Sequence, residues 1–324
     1  MQELPPRKPR TGVRVVSLNA CKLKTQNFGM HDQYLALVAT LASFDVIVFQ
    51  EIPATAEADA QLTLLAKIFE KHTSRYDVFQ YATSSASGPP SSADEGKNAK
   101  HKERHAIFVR APLRILAHAE IASLDDARFD YHPLQVLIEA DDEAAALLGS
   151  NRLVVTSVHL PPAGRKKARD HQLRALLAHY PLKGAERIDE AFAARMAQES
   201  LAPKAAQKAW AKPIHLVCGD FNVHPGEKDA DGNELYGLTA NGWARPLLGA
   251  QVPTSGGGKT LDNFLLDAAS EQLLHDRTTV TAEVLSVDFL KRPGTESSPS
   301  QKGVSDHMPI GLAFKKPLAP PPRE

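Results

Sequence analysis

Short apolar runs recur along this chain, and almost every one ends on an Asn, Glu, His or Asp. VRVVSL at 13–18 is followed by Asn19, DVIVF at 45–49 by Gln50 and Glu51, and LVVTSV at 153–158 by His159. HLVC at 215–218 leads into Gly219-Asp220-Phe221-Asn222, the run FLLD is preceded by Asp262 and Asn263, and the last motif is Ser305-Asp306-His307. Runs this short and this rich in β-branched residues read as strands. A sheet whose strands end together gathers its end residues on one rim, where open sheets commonly carry their sites. One polar strand end is ordinary turn chemistry. Six of them, all drawn from the residues useful for metal and proton chemistry, point to a site.

Between these runs the apolar spacing becomes helical, at 32–43 (Leu35, Val38, Ala39, Ala42) and again at 58–72. Further helices are predicted at 166–178 and about 186–209, and further strands at 106–110, 134–139, 261–266 and 283–287. Residues 84–100 read as a loop of Ser, Gly, Pro and charge, and 254–260 and 293–301 as flexible connectors. No internal repeat is visible, and no linker separates two complete patterns. The alternation predicts one α/β domain over 13–316, with Pro-rich, charged tails at 1–12 and 317–324.

Composition narrows the partners. The 324 residues are 43 % hydrophobic, enough for a substantial core. Lys+Arg and Asp+Glu stand at 38 each, so net charge gives no general pull toward polyanions; the local field over a cleft has to supply it. Two cysteines, Cys21 and Cys218, exclude a disulfide framework, and each lies in or beside an apolar run as a small buried hydrophobe would. No apolar stretch follows the basic N-terminal segment before the first strand, so it is not a Sec signal peptide. No window approaches the ~18 apolar residues of a membrane span. The expectation is a cytoplasmic monomer with no membrane contact; a leaderless secretion route would leave no trace in the sequence.

The residue types dictate the chemistry. Asn19, Glu51, Asp220 and Asp306 offer hard oxygen ligands, and no Cys/His cluster offers a zinc cage. Mg²⁺, with Mn²⁺ as the other candidate, suits such a set because it takes few protein carboxylates and fills its shell with water and phosphate oxygens. His159 and His307 can carry protons near neutral pH, and Glu103 and Asp262 are available to orient them. Metal, two histidines and two orienting acids make a kit for phosphodiester hydrolysis.

In order along the chain, SLNA at 17–20, FQE at 49–51, KERHAIFVR at 102–110, SVHLPP at 157–162, GDFN at 219–222, LDNFLLD at 261–267 and SDHMPI at 305–310 resemble the motifs of the endonuclease/exonuclease/phosphatase superfamily, more closely its deoxyribonuclease I-like branch. The resemblance implies a four-layer αββα sandwich, two packed mixed β-sheets with outer helices, and a cleft at one end. It implies that Asn19 and Glu51 are metal-site residues, with Asp306 a metal or phosphate-site residue. It implies two proton-transfer units, His159 with Glu103 and His307 with Asp262, and a pair, Asp220 and Asn222, that positions the attacking water and the phosphate. The general base stays divided between Asp220 and His307.

Substrate signals are thinner. The arginine that deoxyribonuclease I-like enzymes typically place two residues after the metal glutamate is Pro53 here, and the aromatic residue expected two before Glu103 is His101. Two basic stretches, KNAKHKERH at 97–105 and GRKKARDHQLR at 164–174, adjoin Glu103 and His159. They make Lys100, Lys102, Arg104, Lys166 and Lys167 candidate phosphate contacts. The resulting expectation is a nuclease acting on DNA ahead of RNA, with a phosphatase or phosphodiesterase on a small or lipid phosphoester as the alternative.

Overall fold

The computed structural model describes residues 11–20, 31–73, 78–89, 102–179, 213–229, 232–236, 246–255, 258–275, 277–285, 305 and 307–317. In chain order these hold β1 (Gly12–Asn19), α1 (His31–Leu41), β2 (Val46–Pro53), α2 (Ala56–His72), β3 (Phe79–Thr83), β4 (Glu103–Arg110), β5 (Arg114–Glu120), β6 (Ser123–Leu124) and β7 (Ala127–Arg128). They continue with β8 (Leu134–Glu139), α3 (Asp142–Leu148), β9 (Arg152–His159), α4 (Lys166–His179), β10 (Ile214–Asp220), β11 (Asp262–Leu266), α5 (Ala268–Leu274), β12 (Thr279–Val284) and β13 (Ile310–Lys315).

Two mixed sheets form, one in the order β12-β13-β1-β2-β4-β3 and one in the order β11-β10-β9-β8-β5. Each has a single parallel pair at its heart, β1 with β2 and β9 with β10, and is otherwise antiparallel. The apolar runs supply both faces of each sheet because strand side chains alternate. Val13 and Val15 of β1, with Val46 and Val48 of β2, enter the core between the sheets and meet Val136, Val155, Leu216 and Phe264. Their alternates Val16, Leu18, Ile47 and Phe49 point outward onto Leu37 and Leu41 of α1 and Leu62, Leu65 and Phe69 of α2. On the second sheet Val158, Val217 and Leu265 meet Leu173, Leu176 and Leu177 of α4. Helix, sheet, sheet and helix make the four layers expected. A continuous apolar run is what a strand covered on both faces requires.

Several elements depart from the sequence-based expectation. β3 and β5 are edge strands with half-exposed patterns, and α3 and α5 are single short helices of 7 residues each, too brief for a periodic signal. The strand expected at 283–287 lies earlier, at Thr279–Val284, where an outer edge position alternates exposed and partly buried residues. Residues 254–260 are no slack connector at their ends: Thr254 and Thr260 are fully buried and hydrogen-bonded. The helix expected at 186–209 and the connector at 293–301 lie outside the described residues, as does Cys21. Cys218 is buried between the sheets, and burial pushes its thiol up to about 12, so it behaves as the small hydrophobe expected.

Candidate active site

The strands run on into their polar ends. β1 includes Asn19, β2 includes Gln50 and Glu51, β9 includes His159, and β10 includes Asp220. Parallel pairing brings their ends level: Asn19 faces Gln50 in one sheet and His159 faces Asp220 in the other. Antiparallel neighbours add residues from their beginnings. Glu103 opens β4 opposite Pro53, Asp262 opens β11 opposite Asp220, and His307 lies just before β13, which pairs Ile310 with Ser17. Seven side chains from seven segments therefore collect on one rim of the sandwich, while Gln50 turns inward to Ser17 and Ser157.

Asn19 joins the two sheets there. Its Nδ2 donates to Glu51 Oε1 at 2.9 Å and to Asp220 Oδ2 at 3.0 Å. His159 Nδ1 is 3.2 Å from Glu103 Oε2, a charged contact too far off line to be a well-formed hydrogen bond. Its Nε2 faces Glu51 Oε1 at 3.7 Å and Asp220 Oδ2 at 3.9 Å. On the other side His307 Nδ1 is 2.8 Å from Asp262 Oδ2, and its Nε2 is 3.6 Å from Asp220 Oδ2. Two histidines, each backed by a carboxylate through Nδ1, thus turn their Nε2 atoms toward the same oxygen of Asp220.

The GDFN turn is built for this. Gly219 has φ +137°, and a Cβ there would lie 2.1 Å from the Val158 carbonyl oxygen, so only glycine lets β10 approach β9 this closely. Asn222 takes φ +51°, and its backbone N–H donates to Asp220 Oδ1 at 2.8 Å. Its side-chain Nδ2 donates to the Leu160 carbonyl at 2.9 Å, tying the turn to the segment after His159. Glu51 also holds a positive φ, +55°, at a β-bulge in the β2–β4 pairing, which re-aims its carboxylate at the rim.

Burial sets the electrostatics. It pushes the carboxyl pKa of Glu51 up, against the opposing pull of His159, and pushes Asp220 up, against the opposing pull of His307. Burial works against a charge on His159, but Glu103, with Asp220 and Glu51 behind it, outweighs that and lifts the pKa to about 9. Glu51, Glu103 and His159 each offer a ligand atom within 4.8 Å of one another, as do Asp220, Asp262 and His307. Buried carboxylates crowded in this way fit a divalent cation, which relieves the penalty of keeping them ionised.

Of the expected site residues, Asn19, Glu51, Glu103, His159, Asp220, Asn222, Asp262 and His307 come together on this rim; Asp306 and Lys100 lie outside the described residues. The basic residues fare differently. Arg104 already has partners in its own chain: its guanidinium bonds Asp59 at 2.7 Å and the Pro53 carbonyl at 3.1 Å, clamping β4 to the start of α2. Lys102, Lys166 and Lys167 are all exposed, and Lys166 donates to the Lys228 carbonyl at 3.2 Å and faces Glu227. Arg169 is buried against Asp170, Glu227 and the Asn222 carbonyl, and so steadies the GDFN turn. Sequence reasoning missed that role. It also missed Thr254, whose Oγ accepts from the Asp262 N–H at 3.0 Å, and Ser305, whose Oγ donates to the Asn19 carbonyl and accepts from the His307 N–H. The S-x-H spacing of Ser305 and His307 was the one available signal.

Fold and site together define a phosphoesterase class. The sequence matches the model of the Endonuclease/Exonuclease/phosphatase family over residues 22–307, and the chain belongs to that family, whose enzymes generally depend on divalent metals. No curated protein matches it. Among solved structures it is similar to D. rerio TDP2 complexed with a single-strand DNA product, at 15 % identity, covering 95 % of this chain and 100 % of that one with a TM-score of 0.52. It is also similar to a Bacteroides thetaiotaomicron mannosyl-6-phosphatase at 14 % identity, covering 93 % and 99 % with a TM-score of 0.51. The human nocturnin catalytic domain with a bound sulfate anion is similar at 17 % identity, covering 95 % and 96 % with a TM-score of 0.50. At these identities the likeness is one of fold. Among the described residues no helix is long and apolar enough to cross a membrane.

Proposed function

We propose that this chain is a nuclease that hydrolyses phosphodiester bonds by in-line attack of water, with DNA as substrate ahead of RNA. One observation carries the proposal: His159 Nε2 and His307 Nε2 approach Asp220 Oδ2 to 3.9 Å and 3.6 Å, each histidine backed by its own carboxylate. In-line displacement at phosphorus needs a group that removes a proton on one side and a group that delivers one on the other. Asp220 or His307 takes the proton from water. His159, held by Glu103, gives one to the leaving oxygen. Asn222 keeps Asp220 aligned through its backbone N–H. Glu51, with Asn19 beside it and Asp306 as a further ligand, would hold Mg²⁺, or Mn²⁺ in its place. Such a cation supplies charge stabilisation on the phosphate oxygens.

A second substrate reading has its own support. Arg104, Arg165, Arg169 and Arg174 are all taken up by carboxylates, Asp59, Asp130, Asp170 with Glu227, and Asp229. That leaves Lys102, Lys166 and Lys167 as the exposed described members of the five-residue phosphate-contact set, Lys166 with its ammonium already on the Lys228 carbonyl, a short track for a polyanion and a sufficient one for a small phosphoester.

The test is purified protein with Mg²⁺ or Mn²⁺ against supercoiled plasmid, linear duplex, single-stranded DNA, RNA, a sugar phosphate and bis(p-nitrophenyl) phosphate, with EDTA controls. Plasmid is expected to be cut, and His159→Ala, Asp220→Ala and His307→Ala each to lose about 10²-fold or more while keeping the native circular-dichroism spectrum. Full activity in any of the three, or activity untouched by EDTA, would overturn the hydrolytic assignment. Turnover of the sugar phosphate with intact DNA would replace the nuclease by the small-substrate enzyme.

A further inference from the structure

His159 has an aromatic ring laid flat against it. The ring of Tyr131 stacks on the imidazole with centroids 4.5 Å apart and planes 8° apart. Tyr131 lies between β7 and β8 and is partly buried. It sits beside Asp130, which is buried and ion-paired with Arg165. Arg165 ends the 3-10 turn Ala163–Arg165, which the chain enters on leaving β9 at His159. The backbone beyond His159 therefore folds back and fastens, through Arg165 and Asp130, the residue that stacks on His159.

This is not how a ring packs in a core. Tyr131 belongs to none of the buried apolar clusters among the described residues. The charged groups around its phenol are Glu103, Glu51, Asp130 and Arg165. Two constraints act on His159, and they are complementary. A stacked ring fixes the plane of the imidazole but leaves it free to turn within that plane. The Glu103 carboxylate, 3.2 Å from Nδ1, biases that turn by charge rather than by a directed hydrogen bond, and with the stacked ring it leaves Nε2 aimed between Glu51 and Asp220.

We propose that Tyr131 is a positioning residue for His159, held in place by the Asp130–Arg165 pair, and that its ring rather than its hydroxyl does the positioning. The role rests on the proposed hydrolysis, in which His159 delivers a proton to the leaving oxygen. Its effect depends on the leaving group. A p-nitrophenolate departs without a proton, whereas the alkoxide of a DNA strand needs one.

The experiment compares wild type, Tyr131→Phe, Tyr131→Ala and Arg165→Gln on plasmid DNA and on bis(p-nitrophenyl) phosphate, both with Mg²⁺, alongside thermal melting and the imidazole NMR signals of His159. Tyr131→Ala is expected to lower kcat on DNA about tenfold, with KM within about twofold, and to lower turnover of the p-nitrophenyl diester far less. Tyr131→Phe restores most of the rate on DNA, and Arg165→Gln falls between. The His159 ring protons lose the upfield shift of the stacked tyrosine in Tyr131→Ala alone. Equal losses on the two substrates, a change in KM with kcat kept, or a Phe variant as impaired as the Ala variant would each overturn the proposal. Unmoved His159 signals in Tyr131→Ala would do so even if wild type cleaved neither substrate, an outcome that by itself removes the hydrolytic assignment and leaves the stacking to the NMR arm.

Discussion

Asn19 and Asp220 stand 201 residues apart on different sheets, yet the Asn19 amide donates to Asp220 Oδ2 at 3.0 Å while also donating to Glu51 Oε1 at 2.9 Å. One neutral side chain thereby bridges two carboxylates, the partly buried Glu51 and the fully buried Asp220, one from each of the two groups that could hold a cation. Without the amide the two acids face each other with less to offset their repulsion. Asn19→Ala should raise the Mg²⁺ concentration for half-maximal activation about tenfold or more, and should weaken the thermal stabilisation that Mg²⁺ gives the wild type. Activity titrations with Mg²⁺ and melting curves with and without EDTA check this. Identical Mg²⁺ dependence in variant and wild type would show that Asn19 plays no part in holding the site.

Gly219 offers a sharper test of how the fold makes the site. Its φ of +137° and the 2.1 Å approach of a would-be Cβ to the Val158 carbonyl leave no room for any side chain. Because Val158 precedes His159 and Gly219 precedes Asp220, a shift that relieves the clash moves both catalytic candidates apart. Gly219→Ala should lower stability by about 3 kcal/mol and remove most activity even where the protein still folds. Urea unfolding and turnover on the same preparation measure both. A variant as stable and as active as wild type would mean that β9 and β10 tolerate a wider separation.

The rim of the site was legible because Asn19, Glu51, His159 and Asp220 interrupt apolar runs, and strand pairing then does the rest with no further information. The layers were legible for the same reason: DVIVF serves two faces at once. What could not be read depends on long-range partners. Nothing near Arg104 announces Asp59, and nothing near Arg169 announces Glu227 and the Asn222 carbonyl, so a run of positive charge looks like a phosphate track until its carboxylates are placed. Tyr131 sits in FDYHP, which has neither helical nor strand period, and only the fold brings it onto His159. β3 and β5 escaped because edge strands bury one side or less.

A pH effect is expected at the far end of β10. His215 is buried there, and burial, with Arg152 adding and Asp267 opposing, holds its pKa down to about 4 against an ordinary 6.5. The unfolded chain therefore binds this proton first as the pH falls, so stability contributed by the neutral imidazole is complete above pH 6.5 and is lost between 6.5 and about 4. The full span is worth about 3 kcal/mol at most. His215→Gln removes the titration, so the stability gap between wild type and variant should narrow by up to that amount from pH 7 to pH 4 in urea unfolding. Parallel curves across that range would show that His215 is not held neutral by the fold.

The basic segments make opposite predictions for their arginines and their lysines. Arg104 is bonded to Asp59 and to the Pro53 and Thr55 carbonyls and is largely buried, so Arg104→Gln should melt lower, by about 1–2 kcal/mol of stability, with no change in how DNA binding falls with salt. Lys102 and Lys167 are exposed and carry no such duty, so replacing both by Ala should leave melting unchanged. If a DNA backbone crosses the rim, that double variant should lose up to about two phosphate contacts. The slope of log K against log salt would then become shallower by up to roughly 2. Filter binding of a short duplex to catalytically dead Asp220→Ala protein between low and physiological salt measures the slope directly. An unchanged slope would take Lys102 and Lys167 out of the DNA path and strengthen the small-phosphoester reading, because the arginines of both segments that the structure describes are already committed to carboxylates of their own chain.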